Sequence, residues 1–336
     1  MTPRAMGSSA ADRGLAPAPE LTARFAEALA RFWPQFIGEE EHRLGIAVSG
    51  GPDSTALLLL AAAAFPGRVE AATVDHGLRA ESGREAADVA ELCGQLGVPH
   101  AVLAVEVAEG NVQAEARRVR YAALAGWVEA RRLGALATAH HADDQAETLL
   151  LRLNRASGVA GLAGTRARGF VPDTAIPLLR PLLGWRRAEL EEIVTAAGVE
   201  AVQDPSNADD RFDRARLRKA MAAADWLDIA AIAESAAHLA DADAALDWAA
   251  RREWRDCVRT GGLGITYKPQ APRAVALRVL ARIIAELEGG EPRGSAVARL
   301  FDTLVEKRPA SIGNLVARPS LEGWNFTRAP KRRGDP

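Results

Sequence analysis

Three short stretches of this chain concentrate residues able to do chemistry. Residues 49–55 read Ser-Gly-Gly-Pro-Asp-Ser-Thr: three hydroxyls, two adjacent glycines and a carboxylate. Adjacent glycines let backbone N–H groups approach a ligand closely, and hydroxyls beside them suit an anion such as phosphate. Asp53 in that loop can hold Mg²⁺, take a proton or cap the following helix. Residues 75–79 read Asp-His-Gly-Leu-Arg, placing an acid, an imidazole and a guanidinium around one bend. Residues 140–148 read His-His-Ala-Asp-Asp-Gln-Ala-Glu-Thr. Their carboxylates suit Mg²⁺ shared with substrate phosphates, and His140, Asp143 or Asp144 can act as base toward an incoming amine. Zinc fits less well, because no third ligand with zinc-like spacing stands nearby. Arg117 and Arg120 share one helix face, and Arg211 to Lys219 is the densest basic run. Either can hold phosphates or lie in solvent; spacing alone leaves both open.

These groups need elements to position them. The pattern predicts a helix from Leu21 to Phe36, then strands at 45–48, 69–75, 100–105 and 135–139. Helices alternate with them at about 54–64, 82–97, 111–132 and 142–155. A βαβα rhythm calls for a parallel sheet covered on both faces, so the fold class is α/β and Rossmann-like. Such sheets bind ligands beyond the carboxyl ends of their strands, where all three stretches fall. A loop with four glycines, Gly158 to Gly169, is long enough for a mobile flap. A helix over 187–198 follows, and Asp204-Pro205-Ser206-Asn207 breaks the chain. The expected organisation is a disordered leader (1–20), a catalytic domain (21–205), a linker helix (206–225), a mainly helical domain (226–330) and a tail (331–336). Trp226, Trp248 and Trp254 are expected in the second core, and strand-like fragments at 310–328.

Bulk properties narrow the class. At 336 residues, 48% of them hydrophobic, two packed domains are expected. No apolar stretch reaches 18 residues, which excludes a membrane-spanning helix. Cys93 and Cys257 are the only cysteines, too few for a disulfide framework and consistent with a reducing cytosol. The net charge of −2 hides an asymmetry: residues 1–205 hold 20 Lys/Arg against 26 Asp/Glu, whereas residues 206–336 hold 22 against 18. An acidic half and a basic half suit a catalytic domain joined to one that holds a polyanion.

The first loop has no Gly-Lys-Ser/Thr and is not Gly-x-Gly-x-x-Gly, which sets aside the Walker and dinucleotide types. Ser-Gly-Gly-Pro-Asp-Ser resembles the loop of the N-type ATP pyrophosphatases (PP-loop, HUP-type fold), making ATP the leading ligand. The succession continues with Val-Asp-His-Gly-Leu-Arg, Ala-Arg-Arg-Val-Arg-Tyr, His-His-Ala-Asp-Asp-Gln-Ala-Glu-Thr, Ser-Gly-Val-Ala-Gly-Leu-Ala-Gly and Asp-Pro-Ser-Asn. Over roughly residues 44–219 this resembles the bacterial tRNA(Ile)-lysidine synthases. The resemblance implies ATP-dependent ligation of free L-lysine to C2 of the wobble cytidine of a CAU-anticodon tRNA(Ile), through an adenylated tRNA. It implies ATP and Mg²⁺ as cofactors, a cytoplasmic setting and no membrane; a homodimer is compatible with it. Ser49, Gly50, Gly51, Pro52, Asp53, Ser54, Thr55, Asp75 and His76 would bind ATP. Asp53, His140, Asp143 and Asp144 would serve catalysis, with Asp53 and Asp144 also holding Mg²⁺. Arg79, Arg117, Arg120, Arg214 and Arg218 would contact tRNA or phosphates. The chain departs from the family where Arg-Asn-x-x-Arg is usual: Arg214-Ala215-Arg216-Leu217-Arg218 keeps both arginines and loses the amide. Rival readings are a tRNA thiolase, disfavoured by the two scattered cysteines, a GMP-synthetase-like amidotransferase and a non-catalytic nucleotide sensor.

Overall fold

A computed structural model describes residues 14–38, 41–77, 82–106, 112–202, 213–262 and 264–329. The chain divides into two compact units between His238 and Leu239. The first opens with α1 (Pro19–Phe32) and α2 (Pro34–Gly38), then alternates: β1 (Leu44–Ala47), α3 (Pro52–Ala64), β2 (Val69–Asp75), α4 (Ser82–Leu96), β3 (His100–Ala104), α5 (Val112–Ala130), β4 (Ala135–Ala137) and α6 (Ala142–Leu153). There follow α7 (Val159–Leu162), β5 (Arg168–Phe170), β6 (Pro177–Leu179), α8 (Arg187–Ala196) and α9 (Asp213–Ala222). Helix α10 (Ile229–Cys257) runs across the division.

The sheet of this unit has the order β3-β2-β1-β4-β6-β5, parallel except for the β5–β6 pair. Order therefore reverses between β1 and β4. A crevice opens beyond two such strands because their following helices leave on opposite faces, and it is the usual ligand site of an open α/β sheet. Burial explains the layering. Ala135 and Ala137 belong to the core with α1, α3 and α8, whereas Leu136 belongs to the core with α5. Ala56 to Ala61 of α3 are all buried, as expected of a helix covered by α1 and α8 as well as by the sheet.

Two expectations about this unit change. The Gly158–Gly169 segment contains α7 and the start of β5. Gln145 ties it down: its Nε2 donates to Thr165 O at 2.8 Å and its Oε1 accepts from Thr165 N at 2.7 Å. A clamped turn replaces the expected free flap. The expected break at Asp204-Pro205-Ser206-Asn207 lies outside the described residues, and the compact units separate further along. The described part of the linker helix is α9, which joins the first unit because Arg218 and Asp213 bond to α6 and to Arg155 just beyond it.

The second unit continues with β7 (Val258–Gly261), β8 (Gly264–Tyr267), α11 (Arg273–Glu288), α12 (Gly294–Val305), β9 (Ala310–Ile312), β10 (Leu315–Ser320) and β11 (Gly323–Arg328). Helix supplies most of its ordered residues, with an antiparallel sheet of order β7-β8-β11-β10-β9 beneath. Tyr267, Val279, Ile283, Leu300 and Phe326 form its core. Trp254 packs against that core, but Trp226 and Trp248 do not: they are 80% and 61% exposed.

Gly50 shows how tightly the loop after β1 is held. Its φ is +84°, and a Cβ there would meet Val202 at 3.2 Å and Val89 at 3.4 Å. Its carbonyl accepts from Val202 N at 2.9 Å. Gly50→Ala is expected to cost about 1–2 kcal/mol from the left-handed backbone alone. Thermal melting should show the loss, and ATP affinity should fall with it.

Candidate active site

The site is built at the β1–β4 crevice. The chain leaves β1 at Ala47 and enters α3 at Pro52, with Gly51 as its N-cap. Proline fits that first turn because its missing N–H has no helical partner there. Ser54 Oγ accepts from Ser49 N at 3.1 Å and donates to Gly51 O at 3.0 Å, and Ser49 Oγ lies 3.1 Å from it. Thr55 Oγ1 donates to Gly50 O at 3.4 Å. Two hydroxyls thus brace the loop from within while the first-turn amides of α3 stay available to an anion.

Beyond β4 the chain turns into α6 at His141, which caps the helix reciprocally with Asp144. Asp144 N donates to His141 Nδ1 at 3.4 Å, and His141 N donates to Asp144 Oδ2 at 3.2 Å. With Nδ1 accepting, the ring proton sits on Nε2, facing Asp53 Oδ2 at 3.4 Å and Asp144 Oδ2 at 3.5 Å. One fully buried imidazole therefore joins the carboxylate of the phosphate loop to that of the second motif. Burial opposes charge on His141, but the Asp53 and Asp144 carboxylates outweigh it and raise its pKa.

The two neighbouring motif residues have other partners. Asp143 accepts from Arg187 N at 2.8 Å and from Arg186 Nε and Nη2, each at 3.3 Å, and so ties α6 to the start of α8. Burial works to raise its pKa, yet these donors hold it low. His140 has a different hydrogen-bond partner: its Nδ1 lies 3.1 Å from Thr138 Oγ1. Burial first, and then the Arg180 guanidinium, push His140 down to about 4.

That shift has a measurable sign. A free imidazole titrates near 6.5, so between pH 6.5 and 4 the unfolded chain binds a proton that folded His140 refuses. Its contribution to stability is fully present above pH 6.5 and is lost as pH falls toward 4. Denaturant unfolding across this window should show the decline, and His140→Gln should flatten it.

The remaining predicted residues fall as follows. Asp75 ends β2, next to β1, and accepts from Gly77 N at 2.9 Å. That bond, with the Ser82 side chain, lowers its pKa. His76 is lowered by burial and by the Arg120 charge. Arg117 and Arg120 lie against the Tyr121 ring, 5.0 and 5.3 Å from its centroid. Arg218 pairs with Glu147 through Nε and through Nη2, the latter 3.2 Å from Oε2, and Nη2 is 3.9 Å from Asp144 Oδ1. Arg214 is exposed, and Ala215, at the place of the family's amide, is buried. Arg79 lies outside the described residues. Sequence reasoning missed His141 as the joining group, Glu147 as the partner of Arg218, and Arg180. The first two stand in the quoted motif; Arg180, inside Pro-Leu-Leu-Arg-Pro-Leu-Leu, carries no signal beyond a charge in an apolar run.

Mg²⁺ passes a test of fit. Asp53 Oδ1 is buried with no hydrogen-bond partner, an acceptor aimed at nothing in the protein. Among the described residues no cluster of three or more His, Cys, Asp or Glu could hold a metal alone. The free Asp53 oxygen suits an ion that takes one or two carboxylates and completes its shell with phosphates and water.

A parallel sheet with a serine-glycine phosphate loop at its switch point defines a nucleotide-binding α/β protein of the PP-loop class, and the PP-loop domain family matches residues 19–224. Its relatives narrow this. A tRNA(Ile)-lysidine synthase of Novosphingobium aromaticivorans is 48% identical over 297 residues, covering 87% of this chain and 91% of the relative. Another, of Zymomonas mobilis, is 42% identical over 303 residues, covering 87% and 90%. The chain belongs to the tRNA(Ile)-lysidine synthase family. Among solved structures, the U34-tRNA thiolase NcsA of Methanococcus maripaludis aligns with TM-score 0.53 at 13% identity, covering 65% of this chain and 76% of that one, a likeness of fold. No helix among the described residues is long and apolar enough to cross a membrane.

Proposed function

We propose that this protein ligates free lysine to C2 of the wobble cytidine of a CAU-anticodon tRNA(Ile), using ATP and releasing AMP and pyrophosphate. The geometry that carries the reading is the Asp53–His141–Asp144 chain, which couples a phosphate loop to an acidic patch across one buried ring. In the first step the cytosine O2 attacks the α-phosphorus of ATP. The O–P bond forms, the bond to the β-phosphate bridge breaks, and pyrophosphate leaves. In the second, the ε-amine attacks C2, and AMP departs with the former O2. Lysine's amine has a pKa of about 10.4, so it must lose a proton to become a nucleophile. Asp53 and Asp144, facing His141, are the acceptors this site offers. They would also hold Mg²⁺, which when bound offsets phosphate charge. Asp143, held by Arg186 and Arg187, acts by positioning α6 rather than by touching substrate.

The sulfur-transfer alternative is weakened by the thiols themselves. Cys93 is fully buried in α4 and pushed up to about 12 by that burial, far from the reactive thiolate range. Contacts of the second unit with tRNA are part of the proposal. Its basic balance and the exposed Trp248, with Arg252 5.9 Å from its ring centroid, support them. The test is pyrophosphate release from Mg-ATP. Release that requires the CAU tRNA(Ile) transcript supports adenylation of tRNA, whereas the same rate without tRNA contradicts it.

A further inference from the structure

Arg187 is the first residue of α8, and its backbone and side chain are treated differently by the protein. Its N–H donates to Asp143 Oδ2 at 2.8 Å, and Ala142 N donates to Trp185 O at 2.8 Å, so the starts of α6 and α8 are bonded together. The neighbouring Arg186 places its guanidinium on Asp143. Arg187 has no such carboxylate: among the described residues its side chain makes no ion pair. Its Nε is buried without a hydrogen-bond partner. A buried donor left unpaired is unfavourable unless a ligand completes it.

The surroundings say which ligand. Helix α8 packs on α3, the helix that follows the phosphate loop. Trp185, two residues before Arg187, shares a core with Leu57 and Leu58 of α3. The chain beyond α8 returns to the loop itself, where Val202 N donates to Gly50 O at 2.9 Å. Both helices start at the carboxyl edge of the sheet, since α3 follows β1 and α8 follows β6, with β4 parallel between them. Their positive dipole ends therefore gather at one corner of the crevice. The Arg187 charge is felt in that corner too, because it bears on His141, whose ring faces Asp53 at 3.4 Å.

We propose that the Arg187 guanidinium binds the β- and γ-phosphates of ATP and holds them as the leaving pyrophosphate. The inference rests on the ATP-dependent adenylation described above and assigns a residue to its leaving group. When the bond from the α-phosphorus to the bridging oxygen breaks, its electron pair stays on that oxygen, and the departing pyrophosphate gains negative charge. A guanidinium already in place stabilises that charge, and its planar N–H donors match two phosphate oxygens. A tRNA phosphodiester has the same oxyanion chemistry. The phosphate end of ATP is favoured because Arg187 shares its corner with the loop and the start of α3.

The experiment is calorimetric titration of the whole chain with ATP, inorganic pyrophosphate and AMP in Mg²⁺, with neither tRNA nor lysine present. Arg187→Met should weaken ATP and pyrophosphate about tenfold or more, as the loss of a charge-assisted bond does, and leave AMP within about twofold. Arg187→Lys should recover part of the loss, since it restores the charge without the fork. The bond to Asp143 uses the backbone and survives both substitutions, and thermal melting checks the fold. If Arg187→Met does not fold, Arg187→Lys is read alone, and pyrophosphate weakened more than AMP supports the proposal. Unchanged pyrophosphate binding overturns it. Equal weakening of all three ligands, AMP included, overturns it as well, because the site as a whole is then damaged. Weaker binding of the CAU tRNA(Ile) transcript, with ATP and pyrophosphate untouched, assigns Arg187 to a phosphodiester and overturns it too. A wild type that binds ATP and pyrophosphate but transfers no lysine sinks the lysine-ligation reading, which is a separate failure.

Discussion

Asp53→Asn is expected to lower lysine incorporation by roughly 10²- to 10⁴-fold, the range for losing a positioned acid–base group. The substitution keeps the shape of the side chain and removes only its charge and basicity. Its Oδ1 has no hydrogen-bond partner to lose, and Oδ2 faces His141 at 3.4 Å. The fold should therefore survive, as thermal melting would show. Raising Mg²⁺ should recover little activity, because an amide oxygen is a poorer ligand for a hard cation than a carboxylate. A loss smaller than about tenfold would leave Asp53 without an acid–base role and move the base elsewhere.

Arg218→Met is expected to have the largest effect on stability. Glu147 is 2% exposed, and Arg218 is its only described ion-pair partner. Removing one member of a buried pair leaves an uncompensated charge, which typically costs about 3–5 kcal/mol. For a unit of this size that lowers the melting temperature by roughly 10 °C. The double variant Arg218→Met/Glu147→Leu should regain most of the loss, because no charge is then stranded. Its activity should stay low, since Arg218 also stands 3.9 Å from Asp144. Equal melting temperatures for the single and double variants would contradict this account of how α9 is fastened to α6.

Much of this was legible in the sequence, and its limits have physical causes. The strand–loop–helix at 44–64 was readable because apolar run, glycine turn and helix start follow one another without interruption. Strands β2 and β4 were readable for the same reason, as buried parallel strands are largely continuous apolar runs, and the edge strand β3 was readable from its short apolar stretch Ala101–Ala104. Helix α10 misled, since an alanine-rich helix shows little contrast between faces. Trp226, just before it, and Trp248 on it were therefore expected inside and stand exposed. β7 and β8 are four residues each, one ending at Gly261 and the other starting at Gly264, too short for alternation to be seen. At the site, residue types were visible but orientations were not. His140 and His141 are neighbours in sequence, yet one faces the carboxylates and the other Thr138 and the Arg180 charge. Asp143 looked as reactive as Asp144 until α8, 43 residues further on, was seen to occupy it.

The most direct measurement is incorporation of labelled lysine. The protein, Mg-ATP and labelled lysine are incubated with an unmodified CAU-anticodon tRNA(Ile) transcript, beside a tRNA(Met) transcript with the same anticodon. The account predicts label at the wobble cytidine of tRNA(Ile), little in tRNA(Met), and one AMP and one pyrophosphate per lysine joined. Pyrophosphate release without label in either tRNA would contradict it, retaining the phosphate-loop chemistry and rejecting lysine as the acceptor's partner.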